Sequence, residues 1–439
     1  MGTEAGGFVS SINRAAMVRS NCSSILHFVR QEGKTSRASL AELTGLNKAT
    51  ISRLVEKLTS LGLLREVGEE ASSGRGRKAV LLEINPGGGF IVSGEIGVDY
   101  LLVACADLSS RILWRKHEST ARLETPRAVL ERCAVLMEEA IRFGSTTSDR
   151  LLGLAVGVPG LVDGDGTLLF APNLGWRDVR LGAFLRRRFQ KRVFVDNEAN
   201  LAALGEYYYG AARGHEQVLY ISAGVGVGGG LIYHGQLLTG NAGFAGEFGH
   251  MTMDPQGPRC KCGNRGCWET LASQAALFRN VREAVADGAK SYLVERCGPH
   301  LEGLTVEAVI EAAEAGDEVA AGALREVGIA LGVGMASLIN ATNPDLVVFG
   351  GPLSAAGDLI FPLIQDEVRR RVLPRLVDTV RVVCARNGAD NCVLGGVARV
   401  CEWVVQHPLE AVAEAAAGAG SGEIPREADG SAPLRVVKK

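Results

Sequence analysis

The chain has 439 residues, 46% of them hydrophobic and 22% charged, with a formal net charge of −2 and ten cysteines. That length corresponds to two or three domains, and the near-neutral balance excludes a uniformly basic or acidic protein. No stretch has the uninterrupted apolar length of a membrane span and the N-terminus lacks a signal-peptide core, so a cytoplasmic protein with reduced thiols and no membrane partner is expected.

The charge is unevenly spread. Ser10 to Asn85 carries 12 Lys and Arg against 7 Glu, a balance of +5, while the rest is acidic. A basic head on an acidic body suggests that the head meets nucleic acid. Within it, Val18, Cys22, Ile25, Leu26 and Val29 fall at helical spacing and predict a first helix ending near Gly33. Ser36 then caps a short helix through Leu43, Gly45 makes a tight turn, and Asn47 caps a second helix to about Leu61. Ile51, Leu54, Val55 and Leu58 form the inward face of that helix. Lys48, Ala49, Thr50, Ser52 and Arg53 are left facing outward, a set suited to reading bases in the major groove. Leu63 to Val67 and Ala79 to Ile84 read as the strands of a wing whose tip carries Arg75, Arg77 and Lys78 for phosphate or minor-groove contact. Residues 14–85 are thus expected to form a winged helix-turn-helix on double-stranded DNA. A solvated basic loop on a helical adaptor is the simpler alternative.

Asn85-Pro86 and three glycines read as a hinge into the body. From there, strand-like runs at Phe90 to Asp107, Leu152 to Val158, Val193 to Val195, Val218 to Ser222 and Leu346 to Phe349 alternate with helical patterns. These are Pro126 to Phe143, Asn197 to Tyr209 and Asp317 to Asn343, and the alternation predicts an α/β architecture. The last residues, 406–439, are rich in Ala, Gly and Glu and are expected to be largely disordered.

Between Gly246 and Glu269 the chain reads GEFGHMTMDPQGPRCKCGNRGCWE. His250, Cys260, Cys262 and Cys267 there form a donor set for one Zn²⁺ in a closed, structural site, with Gly263 and Gly266 allowing the turns between thiols.

The GE-x-GH segment followed by C-x-C-G-x-x-G-C-W-E resembles the signature of the ROK family of repressors, sugar kinases and unassigned reading frames. The head resembles the winged helix of the family's repressors, although Gly74, Arg75 and Gly76 replace the usual Gly-Arg-Pro of the wing. The resemblance covers roughly Phe90 to Cys401 and implies a two-lobed, actin-like (ribonuclease-H-like) ATPase-type body over residues 88–405, with ligand in the cleft. It also implies that Asn173, Asn197, Glu198, Glu247, His250 and Glu269 hold a monosaccharide. Glu198, in Asp196-Asn197-Glu198-Ala199-Asn200, stands where the kinases place an Asp base. Where the kinases carry G-x-D-x-G-G-T, this chain has Ser93-Gly94-Glu95-Ile96-Gly97-Val98-Asp99, with Glu95 for the Asp, Val98 for the second Gly and Asp99 for the Thr. In the second glycine-rich loop, Ala223 to Leu231, Val225 takes the place of a Thr. An anionic Asp99 repels phosphate, and the glycine-rich turn is read as a tight strand connection.

The combination predicts a sugar-responsive repressor without enzyme activity, most similar in pattern to xylose- and N-acetylglucosamine-repressor-type members and acting as a homodimer or dimer of dimers. An ATP-dependent sugar kinase with a regulatory head, and a regulator answering to a protein partner, are the alternatives.

Overall fold

A computed structural model describes residues 4–69 and 79–417. The wing-tip residues Arg75, Arg77 and Lys78, and the tail from 418 to 439, lie outside them.

Helix α1 (Glu4–Glu32) begins well before the predicted Val18 and ends at Gly33, whose positive φ reverses the chain. Ser36 and Asn47 cap α2 (Arg37–Thr44) and α3 (Lys48–Ser60), each side chain accepting a backbone N–H three residues on. Gly45 between them is left-handed, as the turn needs. Ile51, Leu54, Val55 and Leu58 are buried against α1. The wing strands β2 (Leu64–Glu69) and β3 (Val80–Ile84) pair antiparallel, and a two-residue strand, β1 (Thr35–Ser36), adds to the other edge of β3.

The body contains two five-stranded mixed sheets. In the first, Val193–Asn197, Leu151–Val158 and Phe90–Ile96 run parallel, and Tyr100–Asp107 and Ile112–Ser119 continue antiparallel. In the second, Val218–Ala223 pairs in parallel with Leu346–Gly350, which pairs in parallel with Arg381–Cys384, and an antiparallel hairpin extends the opposite side. Two helices join the sheets. Glu198–Tyr209, the cleft helix, packs on the second sheet, and Asn391–Gln406, the brace helix, packs on the first. They cross closely because Gly205 and Gly395 have no side chain: a Cβ at Gly395 would strike the Leu201 carbonyl, and one at Gly205 the Asn391 carbonyl. The long apolar helix Glu318–Thr342 is 61% buried over its most apolar window and forms the centre of the second lobe's core, as a buried helix of a globular domain does.

One expectation fails here. The Asn85–Gly89 stretch is packed rather than free. Asn85 donates to the Gly62 carbonyl at 2.8 Å, Arg150 donates to the Leu61 carbonyl at 2.7 Å, and Gly88 lies against Gly62 so closely that any side chain would collide. Glycine serves close approach there, not mobility. Most of the stretch expected to be disordered lies outside the described residues, and the described part of the tail forms a helix, Pro408–Ala417, that buries Ala411 and Ala415. Its Glu414 pairs with Arg192 at 2.7 Å. Alanines suffice as an apolar face where a helix lies flat on a neighbour.

Candidate functional site

The glycine-rich hairpin between Val218–Ala223 and Val227–Tyr233 brings the cleft residues together. A Cβ built at Gly226 would lie 2.5 Å from Glu269 Oε2 and 2.8 Å from Asn173 Nδ2, and one at Gly228 would lie 3.6 Å from Glu198 Oε1. Asn173, Glu198 and Glu269, distant in sequence, therefore surround one bare stretch of backbone. The charges of Glu95 and Glu247 both act on Glu198. Burial, then those two carboxyls, push Glu198 up to about 8. Its Oε2 is buried without a hydrogen-bond partner among the described residues. A buried polar oxygen without a partner suits a hydroxyl-bearing ligand.

Asn197 is placed differently. Its Oδ1 caps the cleft helix by accepting from Ala199 and Asn200 N–H groups, and its Nδ2 donates to the Gly160 carbonyl at 3.1 Å. It thereby ties the start of the cleft helix to the Gly160 turn. Asn200 was not singled out in the sequence, although it lies in the same five-residue motif. It donates to Asp196 at 3.0 Å, and its Oδ1, beside Gly246, is buried without a hydrogen-bond partner among the described residues.

At the loop resembling the kinases' phosphate turn, Tyr100 donates to Glu95 Oε1 at 2.5 Å and lays its ring over Gly97. The buried Cys392 thiol lies beside Glu95, and burial pushes the Glu95 carboxyl up to about 7. Asp99 is exposed at the hairpin turn. Neither Tyr100 nor Cys392 carried a sequence signal, because their roles depend on the register of the hairpin and on a helix nearly 300 residues away.

The donor atoms of His250, Cys260, Cys262 and Cys267 lie within 4.8 Å of one another. Cys262 Sγ is 3.7 Å from Cys267 Sγ, and Cys260 Sγ is 3.7 Å from His250 Nδ1. These separations match the edges of a tetrahedron with metal–sulfur bonds of about 2.3 Å. Burial pushes the Cys260 and Cys267 thiols up, so thiolates there need a cation beside them. Gly266 has a positive φ and sits where any side chain would strike the Asp254 carbonyl, so the knuckle admits only glycine. His250 also faces the cleft. Its Nε2 is 3.8 Å from Glu247 and its Nδ1 3.6 Å from Glu269. Trp268 fixes the loop's exit by donating to the Ala330 carbonyl on the long helix at 2.8 Å.

In the head, Lys48, Ala49 and Arg53 are exposed and Thr50 and Ser52 partly so, with Ala49 and Arg53 on the face of α3 opposite its buried residues and Thr50 and Ser52 flanking that face.

A winged helix-turn-helix with an exposed recognition face, docked on a two-lobed body whose cleft collects carboxylates and amides, defines a DNA-binding regulator with a site for a small polyol. The chain belongs to the ROK family: residues 91–402 match the ROK family model, and residues 23–68 match the IclR helix-turn-helix domain. It is 36% identical over 397 residues to a putative xylose repressor of Caldicellulosiruptor sp. (strain Rt8B.4), covering 90% of this chain and 99% of that one. Among solved structures it resembles a ROK family transcriptional regulator described as a homologue of the E. coli MLC protein (TM-score 0.77, 29% identity, 91% of this chain and 99% of the other). A ROK family glucokinase from Streptomyces griseus, solved with glucose and AMPPNP, aligns with a TM-score of 0.64 at 32% identity. That match covers 98% of the glucokinase but 70% of this chain.

Proposed function

We propose that this protein is a transcriptional repressor whose affinity for operator DNA is set by a monosaccharide bound between the lobes. The observation that carries the reading is the joining of both halves in one chain. A regulator and a xylose repressor align over head and body together, whereas the glucokinase covers about the share that the body occupies. Lys48, Ala49, Thr50, Ser52 and Arg53 read the operator, with Arg75, Arg77 and Lys78 on its backbone. Asn173, Glu198, Glu247, His250 and Glu269 hold the sugar, and Asn197 holds the cleft helix in place for them. Carboxylates and amides suit this task because adjacent hydroxyls need paired acceptors and donors. His250, Cys260, Cys262 and Cys267 bind a structural Zn²⁺, which fixes the loop carrying Glu247 and Glu269. Two heads in a homodimer would read a palindrome with half-sites separated by whole helical turns, in the cytoplasm where operator and sugar meet.

Against a kinase stand Glu95, whose carboxyl accepts from the Tyr100 hydroxyl, and Asp99, whose charge opposes phosphate. The reading is tested by fluorescence anisotropy on DNA from the protein's own promoter at fixed salt, with a panel of sugars headed by xylose. One sugar shifting the affinity several-fold supports it. Tight binding indifferent to all of them overturns the sugar control, and phosphorylation of any pentose or hexose with ATP revives the kinase.

A further inference from the structure

The cleft helix begins at the sugar site and ends against the DNA-binding head. Glu198 is its first residue; Tyr208 and Tyr209 are its last. Twelve residues make a rod of about 18 Å. At its far end the guanidinium of Arg30, on α1, donates to the Tyr209 hydroxyl at 2.9 Å and stacks over the Tyr208 ring with 3.9 Å to its centroid. Both tyrosines are held in turn. The Tyr209 hydroxyl lies 2.7 Å from Ser110 Oγ, and the Tyr208 hydroxyl donates to Glu402 on the brace helix at 2.8 Å. Among the described residues Arg30 makes no ion pair, so the two aromatic side chains are its charge partners.

The surroundings make this junction sensitive to the cleft. The crossing of the cleft and brace helices lies directly behind the ligand residues, where Gly157 is in contact range of Cys392 Sγ and Glu198 Cα. The same two helices end beneath α1: Leu26 and Arg30 of the head share a small cavity with Cys401, Val404 and Val405 of the brace helix. A displacement at Glu198 therefore has a rigid path of close-packed helix to a residue of the head, and α1 packs directly on α3.

We propose that Arg30, clasped by Tyr208 and Tyr209, is the residue through which the occupied cleft repositions the DNA-binding head. The inference rests on the sugar-controlled repressor reading and adds the route. It needs no contact between Arg30 and either ligand, only two arrangements of the clasp that sugar and operator favour unequally.

The test uses the full-length protein. Wild type, Arg30→Met, Arg30→Lys and Tyr209→Phe are compared for melting temperature, for sugar affinity by calorimetry, and for operator affinity with and without saturating sugar. Arg30→Met should bind the sugar and, in its absence, the operator within a few-fold of wild type. Its sugar-dependent change in operator affinity, on the order of 5- to 150-fold for such couplings, should fall below about twofold. Arg30→Lys, which keeps the charge over the Tyr208 ring, should retain part of it. Tyr209→Phe removes one hydroxyl and serves if the Met variant does not fold. A sugar response of wild-type size in a folded Arg30→Met or Tyr209→Phe protein overturns the route alone. A wild type indifferent to every sugar overturns both the route and the reading beneath it.

Discussion

Replacing Gly226 with Ala adds one methyl group between two cleft side chains. The Cβ would sit 2.5 Å from Glu269 Oε2 and 2.8 Å from Asn173 Nδ2. Ordinary contact is about 3.5 Å, so the carboxylate must retreat by roughly 1 Å and the amide by roughly 0.7 Å. Gly226 has no positive φ, so Ala fits its backbone and the damage stays with those two side chains. A hydrogen bond to a charged group contributes about 1.5–3 kcal/mol. Losing the Glu269 contact to the sugar should therefore weaken binding by about 10- to 150-fold, and a displaced Asn173 should add to that. The assay is calorimetric titration of the effector, alongside the thermal midpoint and operator affinity without sugar, both of which should stay near wild type. Undiminished sugar affinity would mean that Asn173 and Glu269 do not hold the ligand, and the site would have to lie elsewhere.

The buried carboxyls make stability depend on pH. Burial pushes Glu198 up to about 8 and Glu95 up to about 7 from an ordinary value of 4.5. The folded chain then keeps protons that the unfolded chain has lost, so stability should fall as pH rises from about 4.5 through about 8 and level off above. Urea midpoints between pH 5 and 9 should show this slope, flattened in Glu198→Gln; an equal slope in the variant would remove Glu198 as its source. Cys262→Ser should lose the metal, lower the thermal midpoint and weaken sugar binding together. Full sugar affinity in the metal-free variant would deny the ion its supporting role. Arg53→Ala and Thr50→Ala should each cost about 1–3 kcal/mol on the operator and much less on random DNA. Equal losses on both would mean that α3 touches phosphates rather than bases.

What was legible in the chain follows from how local each signal is. Ser36, Gly45 and Asn47 act within three residues of themselves, and the helix-turn-helix was plain from them. The GEFGH and C-x-C-x₄-C spacings pointed to the four side chains whose donor atoms lie within 4.8 Å of one another. Other elements disguise themselves. The edge strand Ile112–Ser119 carries Arg115, Lys116, His117 and Glu118, and such an exposed edge loses the apolar run that marks a strand. Strand β1 is two residues long and has no pattern to read. The helix Pro408–Ala417 was hidden by its alanines, which read as low complexity until the surface they cover is known. The neighbours of Glu95, Tyr100 and Cys392, come from a hairpin register and from the brace helix, and no single window of sequence contains both.

The clamped junction at Asn85–Gly89 changes what kind of object the head is. Leu26, Leu63 and Ile84 meet Leu108, Val404 and Val405 of the body, and Leu82 and Leu152 belong to the same apolar cluster. An excised head would carry that face into water, where a few such side chains cost several kcal/mol. Grafted onto a foreign kinase-like body, it would meet a surface not shaped for it. This head is therefore not an interchangeable part: a change to either of the two meeting surfaces has to be matched by a change to the other.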